Sequence, residues 1–192
     1  MERKRGFTAA RIFTAFSQRA ALRGLTAAPV LAASLASAQV PPRYHEQLRA
    51  AMTAFVAADV PSAERAFAEA LALAPSQPDA LCYRAEMRRA TGDMNAALEG
   101  FQDCLRFARE TEDRRFVGRA LHGVASTLER MPGRMQDARV AWQEHVRFAD
   151  TSGGLVDGRT GRARIEAIDA WLALEQSMVE VRARIAERER AP

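Results

Sequence analysis

The chain has 192 residues, 48% of them apolar and 27% charged, which suits one domain or a small two-part architecture and excludes a fully disordered chain. Its formal charge of +4 would suggest nucleic acid or an acidic membrane surface, but residues 1–38 alone carry six basic side chains and one acidic one. The remainder holds 22 basic and 23 acidic residues, a net of −1, so a nucleic-acid partner is not expected. Alanine fills 40 positions against 11 valines and four isoleucines, a balance that favours helices over strands. One lysine stands beside 27 arginines, which reads as the codon bias of a GC-rich genome before any functional selection.

At the N-terminus an apolar stretch from Leu25 to Ala36 follows the last charge of the segment, Arg23, and runs into Ala36-Ser37-Ala38 and Pro41-Pro42. Basic residues, an apolar run and a small-x-small end are the features of a bacterial secretory signal, so residues 1–38 are expected as a signal peptide and 39–43 as a linker. The apolar run is too short for a membrane span of about 20 residues, and no cysteine follows it to carry a lipid. Export to the periplasm of a Gram-negative bacterium is the expectation. Two readings stand beside it. The segment also fits an arginine-rich mitochondrial presequence, since Ile12, Phe13, Phe16 and Leu22 interleave with Arg11, Arg19 and Arg23, or a start assigned too early on a cytoplasmic protein.

Downstream the chain repeats itself. Ala63, Phe67, Ala70, Leu71, Leu73 and Ala74 recur 34 residues later as Ala97, Phe101, Cys104, Leu105, Phe107 and Ala108, with Asp59 and Asp93 keeping the same spacing. A third copy, Ala138, Trp142, His145, Val146, Phe148 and Ala149, follows after 41 residues. Small, aromatic, small at intervals of four and three lies along one helix face; the ring fills the space between helices and the small residues let backbones approach. Another helix precedes each copy. Leu81 and Ala85 lead to the break Thr91-Gly92-Asp93, and Leu121, Val124, Ala125 and Leu128 lead to Pro132-Gly133. Ala51 and Ala54 hold the corresponding slots of the first copy, before the break Ala58-Asp59-Val60-Pro61. Gly92 suits a left-handed cap and Asp93 an N-terminal cap.

This pattern resembles the tetratricopeptide repeat family, with its 34-residue period and a signature ending at Pro75. The resemblance covers residues 44–150, as repeats at about 44–77, 78–111 and 112–150. It departs from the family at Cys104 and His145, which take the last small slot, and at Arg109, which replaces the terminal proline. It implies an all-α fold: a right-handed superhelix of three helix pairs. A flexible break at 151–161, with Gly153, Gly154, Gly158 and Gly161, is expected before a long helix in 162–192 that would cap the stack. Its apolar stripe, Ile165, Ile168, Trp171, Leu172, Leu174, Met178, Val181 and Ile185, leaves open a homo-oligomer formed through that helix, and with it a structural role in the cell envelope.

Family positions carried onto this chain place Leu48, Met52, Phe55, Cys82, Glu86, Arg89, His122, Ser126 and Glu129 in a concave groove. That groove would be apolar at one end and of mixed charge at the other, and would receive a peptide or partner protein; its apolar third could equally be covered by residues 39–44 and be plain core. By the same positions Cys104 would face the next repeat and Cys82 the groove, so the two are expected as separate thiols. The remaining residues point to no reaction. His45, His122 and His145 have no metal-ligand spacing, Ser152-Gly153-Gly154 lacks the rest of a phosphate loop, and the carboxylates are scattered along helices. Neither a catalytic centre nor a metal or cofactor is expected. The carboxylate clamp of some chaperone-binding relatives needs lysine and asparagine on the inner helices, where this chain has neither.

The signal reading has a direct test. Cleavage after Ala38 gives a mature N-terminus at Gln39, visible as the intact mass of protein from the envelope fraction; full-length protein confined to the cytosol overturns it.

Overall fold

A computed structural model describes residues 40–190. The expected signal peptide and its cleavage site lie outside the described residues. Seven helices and no strand occur among the described residues: α1 (Pro42–Val56), α2 (Val60–Leu73), α3 (Pro78–Thr91), α4 (Met94–Glu110), α5 (Arg114–Leu128), α6 (Met135–Thr151) and α7 (Arg159–Arg190). The expected all-α class holds, as three helix pairs followed by one long helix. No described helix is long and apolar enough to cross a membrane.

One device makes three of the turns. Ala58, Gly92 and Glu112 adopt positive φ of 59°, 94° and 55°, and each is followed by an aspartate. The backbone N–H groups of Asp59, Asp93 and Asp113 reach back to the carbonyls of Ala54, Arg88 and Ala108 at 2.8–2.9 Å, closing the preceding helix. The aspartate carboxylates then cap the next helix, accepting from Ser62 N, Ala96 N and both Arg115 N and Phe116 N. Glycine takes the left-handed position without strain only at Gly92. Ala58 and Glu112 occupy it at a cost of about 1–2 kcal/mol each.

The repeated face forms the core. Ala63, Phe67 and Ala70, then Ala97, Phe101 and Cys104, then Ala138, Trp142 and His145 are all buried. α2 packs on α1, α4 on α3 and α6 on α5, while α4 also meets α5 and α6 meets α7. The odd-numbered helices touch in turn, α1 with α3 and α3 with α5, so they form a row on one side. Close approach depends on side chains that are missing. A Cβ on Gly100 would lie 2.9 Å from that of Ala85, and one on Gly123 would collide with the Phe101 ring.

The same closeness corrects the expectation of two thiols. Cys82 and Cys104 form a disulfide between α3 and α4, with their Cα atoms 5.4 Å apart. Cys82 is fully buried and turned toward α4, so it does not line a groove. Ala85, one turn on, and Gly100, one turn before Cys104, let the two backbones come within bridging distance.

The glycine-rich connection to α7 is anchored as well. Ser152 Oγ donates to the Ala149 carbonyl at 2.7 Å and accepts from Val156 N at 3.1 Å, and Val156 fills the space over Gly118. α7 then lays Ile165, Ile168 and Leu172 against Trp142, Leu128 and their neighbours.

The disulfide closes a 22-residue separation, for which chain-entropy arithmetic gives about 3 kcal/mol. Reduction is therefore expected to lower the urea midpoint. A Cys82→Ala/Cys104→Ala variant should start from the lower value and ignore reductant. Equal midpoints in both redox states would mean that the bridge does not form.

Candidate functional site

The row of odd-numbered helices meets the start of α7 in a cleft of about 360 Å³. Arg89 enters it from the last turn of α3. His122, Ser126 and Glu129 come from one stripe of α5 and its cap, and Arg130 follows directly. Trp142 of α6 and Thr160 and Arg164 of α7 close the far side.

Glu129 holds this end together. One of its oxygens accepts from Trp142 Nε1 at 3.0 Å, and the Arg164 guanidinium embraces both. Its side chain is only 14% exposed, so a single carboxylate, neutralised by Arg164, ties α5, α6 and α7. Its hydrogen bonds therefore run to Trp142 and Arg164, and His122 is left to the aromatic contacts. His122 meets Trp142 edge to face at 5.1 Å and His145 at 5.7 Å, and Trp142 meets His145 at 5.5 Å.

Both imidazoles are held below the ordinary histidine range. For His122 the main cause is desolvation by the packed protein around the ring, with Arg89 and Arg119 adding to it and Glu86 opposing. For His145, which is 2% exposed, burial again dominates, reinforced by His122 and opposed by Asp157. His145 Nδ1 has no hydrogen-bond partner among the described residues. Both rings are thus neutral at neutral pH, and the wall they form with Trp142 is aromatic in character.

Charge enters from the other wall. Arg119 grips Glu86 with two hydrogen bonds of 2.7 and 2.8 Å and lies over the Tyr83 ring, so that pair is neutral. Arg130 donates only to the Arg89 carbonyl, at 3.3 Å. Arg89 Nε is buried without a partner among the described residues, and no described carboxylate forms an ion pair with Arg89 or Arg130. Among the described residues, two guanidinium groups therefore stand without a carboxylate partner beside a neutral aromatic wall.

Of the groove residues expected from the sequence, the structure brings Arg89, His122, Ser126 and Glu129 together and leaves Glu86 at the edge, in the grip of Arg119. The apolar end is different. Leu48, Met52 and Phe55 are half-buried and pack against Ala51, Ala63, Phe67 and Met87, filling the interior of the first pair; they do not line this cleft. Val40 and Tyr44 close over Leu48, and the Tyr44 hydroxyl bonds Asp79. Burial first, and that bond second, raise the Tyr44 pKa. Arg130, Trp142, Thr160 and Arg164 were not legible as site residues. Trp142 reads correctly as core, and nothing in its spacing shows that its indole N–H emerges beside Glu129.

A larger cleft of about 700 Å³ lies between α4, α5 and α6, floored by Val117, Leu121 and Phe148. Arg109 pairs there with Glu144, Arg114 donates to the Thr151 carbonyl beside the Phe148 ring, and Arg147 has no carboxylate partner among the described residues. The smaller cleft is the better candidate because it gathers Arg89, His122, Ser126 and Glu129, four of the residues expected from the sequence, beside the Trp142 ring. Among the described residues no group of three His, Cys, Asp or Glu side chains could hold a metal ion.

The histidine shifts set a sign for stability. A histidine whose folded pKa is depressed is protonated first in the unfolded chain, so stability falls as pH drops below the ordinary value of about 6.5 and is regained as pH rises through that value. The denaturation midpoint should therefore be lower at pH 5.5 than at pH 7.5, and His122→Gln should reduce the difference. Histidine proton resonances that titrate at or above the ordinary value would contradict this picture. No protein-family model and no curated protein matches the chain, so the cleft is interpreted from its own side chains.

Proposed function

We propose that the chain is a non-catalytic protein-interaction scaffold of the tetratricopeptide type whose cleft receives an acidic segment of a partner protein. The observation that carries this reading is the pair of guanidinium groups, Arg89 and Arg130, that have no carboxylate partner among the described residues and stand beside the Trp142–His122 wall. A guanidinium presents a planar fork of donors that matches a carboxylate, and charge-assisted hydrogen bonds of this kind are about twice as strong as neutral ones. The aromatic wall suits an apolar side chain next to that carboxylate. An extended peptide or a partner helix can offer both groups at once.

Three further observations support the reading. Three copies of the small–aromatic–small face and the pairwise packing of α1 to α6 are consistent with the repeat architecture, which works by presenting one continuous surface. Both carboxylates beside His122 among the described residues are engaged by an arginine, Glu86 by Arg119 and Glu129 by Arg164. The buried Cys82–Cys104 bridge suits an oxidising compartment, in keeping with export to the periplasm.

Selecting peptides from a display library against the oxidised chain, residues 39–192, tests the proposal. Acidic sequences are expected. Arg89→Glu, Arg130→Glu and the cleft-filling Ser126→Trp should each weaken them about tenfold or more, the scale of a lost charge-assisted contact. Arg106→Glu, on the exposed face of α4, should leave affinity unchanged, and helicity should be the same in all variants. Binding lost in Arg106→Glu and kept in the cleft variants would overturn the proposal.

A further inference from the structure

The second half of α7 stands free of the rest of the protein. Ile165, Ile168 and Leu172 are the apolar α7 side chains packed against the body, and beyond them the helix continues to Arg190. Trp171, Leu174, Met178, Val181 and Ile185 are 44%, 62%, 45%, 39% and 51% exposed. Their spacing alternates three and four residues without a break, the period of a coiled-coil seam. At 3.6 residues per turn this seam lies roughly a third of a turn from the face that meets α6.

We propose that the seam pairs with α7 of a second copy of this chain, in antiparallel orientation. Charge selects the occupant. Residues 171–190 hold four glutamates and four arginines, a balance that gives an anionic bilayer no net attraction and suits a self-complementary contact. Glu175 and Arg182 flank the seam in equivalent heptad positions, and in an antiparallel pair each meets the other on the second copy, twice over. In that register Trp171 lies opposite Val181, Leu174 opposite Met178, and Ile185 opposite the exposed Ala167, a large side chain against a smaller one at both ends. Arg188 continues the seam: a parallel pair would set it against its own copy, whereas the antiparallel register sets it against Arg164, which Glu129 already neutralises. The five side chains offer on the order of 500 Å² of apolar surface, about as much as the largest patch on a typical monomer. Two copies together reach roughly the 1,000 Å² that a specific interface needs.

The pairing does not depend on what the cleft binds. Sedimentation velocity of residues 39–192 over a concentration series should show a reversible monomer–dimer equilibrium. Leu174→Asp should leave only monomer, with the urea midpoint of the body unchanged because residue 174 touches none of it. Glu175→Arg and Arg182→Glu should each weaken the dimer roughly tenfold, since like charges then face each other at two places, and the double exchange should restore it. Monomer at every concentration, a dimer indifferent to Leu174→Asp, or a double exchange that fails to restore pairing overturns the proposal. So does a wild-type chain that stays monomeric yet sediments with phosphatidylglycerol vesicles, since the seam would then be a membrane face.

Discussion

The structure depends on how closely neighbouring helices can approach. In each pair a ring fills the gap and small residues beside it let the backbones come near: Phe67 between Ala63 and Ala70, Phe101 between Ala97 and Cys104. Burying one such ring is worth about 1.5–3 kcal/mol, and the gain is realised only if no neighbouring side chain holds the helices apart. Gly100 against Ala85 and Gly123 beneath Phe101 are the sites where even a methyl group is too much. From this spacing follow the disulfide, the contacts among odd-numbered helices and the position of Arg89 beside His122. Changes to these small residues therefore act on the site from a distance.

The third pair departs from the apolar pattern, and the departure coincides with the cleft. Where the second pair has Phe101 and Cys104, the third has Trp142 and His145, and both new side chains carry polar atoms into a buried layer. Burying polar groups costs free energy unless they are paired. Trp142 meets this by sending its indole N–H to Glu129, which in turn needs Arg164 from α7. The last helix is thus held by a polar chain as well as by Ile165, Ile168 and Leu172. His145 has no such outlet for Nδ1 and stays neutral instead. The cleft opens where this polar layer reaches the surface.

α7 has two parts with different demands. Its first half obeys the body: Gly161 is buried and admits the Val146 and His145 side chains, and Ile168 completes the cluster around Trp142. Its second half has no such neighbours among the described residues, and its apolar residues keep a period of 3.5 on another side of the helix. The shift of the stripe around the helix axis marks the point where one surface ends and another begins.

The sequence by itself determined the helical class, the number of helix pairs, the core face of each even-numbered helix and the cap at Asp93. These follow from local chemistry and from a period that can be counted, and the structure agrees with each. It also pointed to Arg89, His122, Ser126 and Glu129, because side chains one turn apart on a helix must share a face. Only the tertiary structure decided what meets that face. Arg164 lies 35 residues beyond Glu129, and Trp142 read as core has a polar edge that only packing could aim. The Cys82–Cys104 bridge was misjudged for the same reason: the direction of Cys82 depends on the rotation of α3 against α4, which Gly100 and Ala85 set through a contact that neither shows alone. Leu48, Met52 and Phe55 likewise had the right period for a groove, but their burial came from Phe67 and Met87 on other helices. Period assigns a residue to a face; the helix that covers the face is chosen by long-range packing.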